Sequence, residues 1–329
     1  MRKISLQIGA AVLAVLIAAL AIVVVLPNQN ISASTTTTTS STSTTTLPFN
    51  YLGNSTPSGT ESFVGSVRRV SINGIYLAYR EFGSGSPILL IPDRDQTMLS
   101  FGSTLLNALS ANNKVILVDL PGIGYSSDDT SQPYSVQWVS TIISDFISGS
   151  GLSPLQIVGW GLGGQIALSI AETSPTMVTS LVLADTSPGG TGSTPPTSSD
   201  AQVLSNPNST LLERIAALYP PNSGAEIFSY YGEISKSSPE TVLSQTIERQ
   251  SNAVALMASD NSILQKLSSI TIPVLICVGD LDTITPISDS NLIVSGLANA
   301  TKQVFAGDGH GVPIEDPAKF AEAISTFNH

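Results

Sequence analysis

Leu155-Gln-Ile-Val-Gly-Trp-Gly-Leu-Gly-Gly-Gln-Ile-Ala-Leu-Ser-Ile-Ala-Glu172 is the stretch on which the fold turns. Leu155–Val158 is a short apolar run, the pattern of a strand buried on both faces. Gly164–Glu172 has the pattern of a helix. Between them Gly159-Trp-Gly-Leu-Gly163 leaves room only for a tight turn. Working outward, apolar runs of the same kind recur at Ile88–Ile91, Val115–Val118, Leu181–Ala184, Val274–Val278 and Gln303–Phe305, with helical segments between them. That alternation predicts an α/β fold, a mostly parallel sheet flanked by helices. Upstream, Val67–Ile72 and Ile75–Phe82 alternate apolar and polar residues around Asn73-Gly74, which predicts a β-hairpin. From about 187 to 267 the alternation stops. Helical patterns there (Leu211–Leu218, Glu226–Ile234, Pro239–Ala258) predict an all-helical insertion after one strand.

The strand–turn–helix around G-W-G-L-G is the setting of a nucleophile elbow, G-x-S-x-G. Three further segments, one before the elbow and two after it, stand in a telling order. They are Asp119-Leu-Pro-Gly-Ile-Gly-Tyr-Ser126, Gly279-Asp-Leu-Asp282-Thr-Ile-Thr-Pro286 and Gly307-Asp-Gly-His310-Gly-Val-Pro-Ile-Glu-Asp-Pro317. On these residues the chain, from about Val67 to its C-terminus, resembles the α/β-hydrolase family. The resemblance implies descent from serine hydrolases of small esters or amides. It implies Asp282 as the acid, His310 as the base and the 187–267 insertion as the lid. It also places Leu162 and Arg94 as backbone donors to an oxyanion, with Trp160 on the pocket floor.

The sequence departs from that family at the decisive position. The elbow residue is Gly161, so no acyl-enzyme can form there. Loss of a triad nucleophile removes on the order of 10⁶ in kcat and leaves only ~10³–10⁴ over water. Glycine also relieves the strained elbow backbone, worth roughly 1–3 kcal/mol. In the oxyanion loop the family has His-Gly, whereas this chain has Ile91-Pro-Asp-Arg-Asp-Gln96. Asp93 and Asp95 either stand where negative charge would develop, or point to solvent or pair with Arg94. His310 is either a structural partner of Asp282 or a general base acting on a water in the space vacated by the serine. The expectations are therefore a catalytically impaired hydrolase that binds a small apolar ligand or ester-like molecule, or a partner protein. The alternative is a hydrolase or lyase in which His310 and Asp282 activate a water or a substrate proton. A cell-surface adhesion module is a third, weaker reading.

Residues 1–26 read differently. Arg2 and Lys3 precede Ile4–Leu26, apolar apart from Ser5 and Gln7. At ~1.5 Å per residue this run is long enough to cross a ~30 Å hydrocarbon core. A transmembrane anchor is favoured over a cleaved signal peptide, whose apolar region runs only ~7–15 residues. The charge asymmetry puts the bulk of the chain outside, or in the medium if the segment is cleaved. Residues 27–60, with Ser and Thr throughout 32–46 apart from Ala33, are expected to be a disordered stalk, and 61–329 the hydrolase domain.

Composition closes off other classes. With 13 basic and 24 acidic residues the net charge is −11, which argues against nucleic-acid partners. Only 11% of residues are charged, and the low pI suggests an acidic external medium. There is no phosphate loop, dinucleotide fingerprint or HExxH. Two histidines and a single cysteine, Cys277, do not make a zinc site, so no cofactor is expected.

Overall fold

A computed structural model describes residues 51–54, 64–237 and 242–327. The expected anchor (1–26) and most of the expected stalk (27–60) lie outside the described residues. Within that stalk stretch, however, Tyr51–Asn54 forms a strand (β1), so the stalk reading does not hold for these four residues. β1 pairs antiparallel with β2 (Arg68–Ile72), which forms the hairpin with β3 (Ile75–Gly83) about Asn73-Gly74. Both turn residues have positive φ, as a two-residue hairpin turn requires.

β4 (Ser86–Ile91) is followed by helix α1 (Gly102–Ser110), β5 (Asn113–Val118), α2 (Val136–Ser150), β6 (Leu155–Trp160), α3 (Leu162–Thr173) and β7 (Val178–Ala184). After β7, the described residues form five α-helices before the next strand: α4 (Ser198–Ser205), α5 (Leu211–Leu218), α6 (Gly224–Ser237), α7 (Ser244–Met257) and α8 (Ser262–Lys266). The chain then returns to the sheet with β8 (Val274–Gly279), α9 (Ile287–Gly296), β9 (Ala300–Phe305), a turn of helix α10 (Val312–Glu315) and α11 (Pro317–Phe327).

The described strands form one sheet in the order β1-β2-β3-β5-β4-β6-β7-β8-β9, antiparallel up to β5 and parallel beyond it. Alternate residues of β4 enter two separate cores: Leu89 and Ile91 pack with α2 and α3 on one face, Ile88 and Leu90 with α1 and α11 on the other. A strand covered on both sides must be apolar throughout, which is why these runs carry no polar alternation.

Close packing sets the approach of β6 and α3 to β4. A Cβ on Gly163 would lie 2.1 Å from the Ile91 carbonyl oxygen, so only glycine lets the helix start this close to the neighbouring strand. Beyond β5, Asp119 is fully buried and anchors two loops. Its Oδ1 accepts from Met98 N–H (2.8 Å) and its Oδ2 from Tyr125 N–H (3.0 Å). It thus ties the segment after β4 to the Asp119–Ser126 loop.

Replacing Asp119 with Ala strands one buried N–H and one half-buried N–H, at roughly 1–3 kcal/mol for the first and less for the second. The expected loss is about 2–5 kcal/mol in a urea titration, with the midpoint moving to lower denaturant. An unchanged midpoint would show that the two loops hold without this carboxylate.

Candidate active site

The site is assembled at the carboxyl ends of the central parallel strands, where open α/β sheets offer a crevice. β6 delivers the elbow. Gly161 has φ 53° and ψ −115°, and its N–H donates to Ala184 O (3.0 Å) on β7. The loop after β8 delivers Asp282. Its Oδ1 accepts from the N–H groups of Ile284 (2.7 Å) and Thr285 (2.9 Å), and its Oδ2 accepts from the Thr285 hydroxyl (2.7 Å). The loop after β9 delivers His310, whose N–H donates to Leu218 O (2.9 Å) at the end of α5.

The structure brings His310 and Asp282 together. His310 Nδ1 lies 2.9 Å from Asp282 Oδ2, and both residues are buried. On the other side of the ring stands a third residue. Asp93 is 4% exposed; its Oδ2 lies 3.3 Å from His310 Nε2 and its Oδ1 accepts from Leu162 N–H at 2.7 Å. The Leu162 donor expected to serve an oxyanion is therefore already engaged by a side chain of the same chain. A Cβ built on Gly161 would lie 2.0 Å from Asp93 Oδ1 and 2.2 Å from its Cγ. The volume that a serine side chain would fill holds the Asp93 carboxylate, which corrects the expectation of a water there.

The other expected residues fall as follows. Asp95 does not face solvent; its carboxylate pairs with Arg214 of α5 (3.0 Å) and its N–H donates to Gln250 of α7 (2.8 Å). Arg94 lines the pocket beside Asp93 and Asp95. Trp160 is fully buried beneath the site rather than on its floor. Its Nε1–H donates to His310 O (3.2 Å) and its ring tilts against Phe101, so it braces the histidine loop. Cys277 is buried, and burial holds its thiol protonated.

A cavity of about 240 Å³ opens in front of Asp93. Its walls are mostly lid side chains, among them Leu211, Ile215, Leu218, Ile234 and Ile247. Tyr219 and Tyr231 face it with hydroxyls 2.8 Å apart, and the Tyr231 hydroxyl also donates to Gln96 (3.2 Å). The space suits a small, mainly apolar molecule.

Sequence reasoning missed the roles of two carboxylates. Asp93 was visible as an oddity in the oxyanion loop, but nothing local says which way its side chain turns. Asp185, fully buried with φ 45°, accepts from Gly279 N–H (3.1 Å) and Val312 N–H (2.9 Å). It thereby fixes the start of the acid loop and the helix after His310.

The electrostatics follow from this crowding. Burial by itself would lower the pKa of His310, but the Asp282 and Asp93 carboxylates outweigh it and hold the ring protonated well above its ordinary range. Burial works to raise Asp282, and the imidazolium with the Thr285 hydrogen bonds overrides it, so Asp282 titrates low. Asp185 is pushed up, first by burial and then by the charge of Asp282.

Three other carboxyls are pushed up chiefly by burial: Asp95 to about 6, Asp308 to about 6 and Glu315 to about 7. A carboxyl with a raised native pKa stabilises the fold while protonated, and that contribution is lost as the pH climbs through the native value. The raised His310 has the same sign: full below its unfolded value and lost on the alkaline side. Asp282 works the other way, losing its contribution below the ordinary carboxylate range. The expected thermal midpoint is therefore higher near pH 5 than near pH 8. A scan in which it rises toward alkaline pH would contradict these assignments.

A sequence profile described as "Alpha/beta hydrolase family" matches residues 88–323. Among curated relatives, a pimeloyl-[acyl-carrier protein] methyl ester esterase of Vibrio parahaemolyticus is 25% identical over 268 residues, 76% of this chain and 97% of its own. A 2-hydroxymuconate semialdehyde hydrolase of Pseudomonas sp. (strain CF600) is 24% identical, covering 79% of this chain and 93% of its own. Among solved structures, an alpha/beta hydrolase fold protein from Chitinophaga pinensis superposes with a TM-score of 0.69 at 21% identity, over 80% of this chain and 96% of that one. With the elbow turn, the Asp282–His310 pair and the helical insertion in place on this sheet, the chain belongs to the alpha/beta hydrolase family.

Proposed function

We propose that this protein binds a small, largely apolar ligand in a hydrolase pocket from which serine acyl transfer has been removed. One observation carries the reading: the Asp93 carboxylate fills the place of the nucleophile and occupies the Leu162 N–H. Serine chemistry needs an attacking oxygen and its oxyanion donors; here the elbow has no side chain and the Leu162 N–H is already engaged. The named activities of its relatives, a methyl ester esterase and a semialdehyde hydrolase, point to a carbonyl group in the ligand, and the cavity of about 240 Å³ with its aliphatic walls points to a small, apolar body around it.

Gly161 and Asp93 are a matched pair, so restoring the serine takes two changes. Gly161→Ser alone pushes a side chain into the Asp93 carboxylate and puts a non-glycine residue at positive φ, a strain of about 1–3 kcal/mol before the clash. The expected single variant is less stable and silent on short-chain esters. The double variant Asp93→Gly/Gly161→Ser frees both the space and the Leu162 N–H, and gains ester hydrolysis. The natural protein is expected to be stabilised by small carbonyl ligands in a thermal shift assay without consuming them. Ester turnover by the natural protein, at the kcat/KM of roughly 10⁴ M⁻¹s⁻¹ or more that working enzymes show, would sink the proposal.

The same proposal places the domain outside the cell, tethered by residues 4–26, on the length of that apolar run and the two positive charges before it. Full-length protein is expected to stay in the membrane fraction through an alkaline carbonate wash and to be digested by protease added to intact cells. Release by the wash, or protection from the protease, would remove the anchor or the orientation respectively.

A further inference from the structure

The two oxygens of Asp93 are held in different ways. Oδ1 sits on the Leu162 N–H at 2.7 Å, whereas Oδ2 faces the His310 ring at 3.3 Å, and the residue lines the cavity. Behind the ring, Asp282 holds Nδ1 at 2.9 Å. A carboxylate with one oxygen pinned by a peptide N–H, an imidazole at the other and an apolar cavity in front has the surroundings of a covalent nucleophile. We propose that the nucleophile of this site has moved from the elbow to the adjoining loop, that it is Asp93, and that the pocket takes small apolar molecules bearing an electrophilic sp³ carbon. This goes beyond ligand binding and uses from that reading only the absence of serine chemistry.

The choice of an sp³ carbon follows from the hydrogen bonds. Attack on a carbonyl would build charge on the substrate's oxygen, and the Leu162 donor is already taken by Asp93. Displacement at a saturated carbon builds charge on the leaving group instead. Asp93 Oδ2 forms the new C–O bond as the C–X bond breaks, and the electron pair leaves on X. A leaving oxygen takes the Nε2 proton of His310; with a halide that proton goes to solvent. The product is an ester of Asp93 and a neutral His310.

Ester formation also prepares the second step. It removes the Asp93 charge, one of the two that keep the ring protonated, so Nε2 can serve as a base. Neutral His310 takes a proton from a water, whose oxygen adds to Asp93 Cγ. The carbonyl pair moves onto Oδ1, where the Leu162 N–H holds it as the oxyanion. Collapse breaks the bond between Cγ and the alkyl-bearing oxygen, and the alcohol leaves with the Nε2 proton. Asp93 regains its carboxylate with one oxygen from the water. The sum is R–X plus water giving R–OH plus HX.

The test uses the full chain in mild detergent, in water enriched in oxygen-18, with two probes: 1,2-epoxybutane and 1-bromobutane. Protein is kept in excess so that each molecule turns over once at most. With at least one probe, the peptide carrying Asp93 is expected to gain one oxygen-18 and the first alcohol formed to carry ordinary oxygen. Protein without probe gains no label. Which probe succeeds distinguishes a strained cyclic ether from a halide as the leaving group. His310→Ala is expected to stall at the alkylated protein, visible as an intact-mass adduct on Asp93. Asp93→Asn is expected to lose label and at least about 10³-fold in rate.

Should His310→Ala not fold, the isotope in the natural protein still decides. Label in the alcohol but not in Asp93 would mean direct attack by water and overturn the proposal. Turnover of neither probe, with no adduct, would overturn it too. Assay of the natural protein on short-chain esters tests the loss of serine chemistry separately, so the two readings fail independently.

Discussion

One steric fact governs the centre of this molecule: Asp93 and a side chain at position 161 cannot coexist. The carboxylate approaches the elbow so closely that a Cβ at 161 would overlap it. Glycine at 161 is thus the condition for Asp93 to reach both the Leu162 N–H and the His310 ring. Glycine at the elbow and the inward-turned carboxylate are two halves of one arrangement. The elbow backbone keeps its unusual conformation, at φ 53° and ψ −115°, without a nucleophile that needs it. What that backbone still does is aim the first N–H of α3 at an anion, as helix N-termini do.

That anion belongs to a buried row of alternating charge. Asp93, His310 and Asp282 lie in sequence across the site, with Asp185 behind them holding the two loops that carry the last two. Burying this many carboxylates is costly unless each is compensated. Here each has peptide N–H donors, and the imidazolium is shared between two of them. The row therefore behaves as a unit: removing Asp93 changes the protonation of His310, and neutralising His310 leaves two buried carboxylates facing each other. The same balance allows a charge lost at one end to be felt as a change of basicity at the ring.

The lid does more than roof the cavity. Arg214 and Gln250 reach from α5 and α7 to Asp95, and Leu218 receives the His310 N–H. Asp95 sits two residues after Asp93 at φ 60°, a conformation costly for a residue with a side chain, so its two lid contacts hold the loop in the bend that turns Asp93 inward. The helical insertion and the Asp93–Asp95 loop are one mechanical piece. An opening of the lid would disturb Asp93 before it disturbed Asp282, whose peptide N–H and hydroxyl donors come from its own loop.

Much of this was legible in the chain alone. Apolar runs free of alternation specify strands buried on both sides, and their spacing with helical segments specifies a parallel sheet; both depend only on local pattern. Gly161 at the elbow, and Asp282 and His310 in their loops, are read from short motifs whose geometry is built by adjacent residues. The direction of the Asp93 side chain, the brace from Asp185, and the place of Trp160 as a buried strut rather than on the pocket floor were not legible. Each depends on contacts between segments tens of residues or more apart: Asp93 meets Leu162 across 69 positions, Asp185 meets Val312 across 127 and Trp160 meets His310 across 150. Local sequence determines which elements form and which residues are chemically able. Only the packed sheet decides which of those residues share the few ångströms in which charges and protons interact, because that distance is set by the closure of the whole fold.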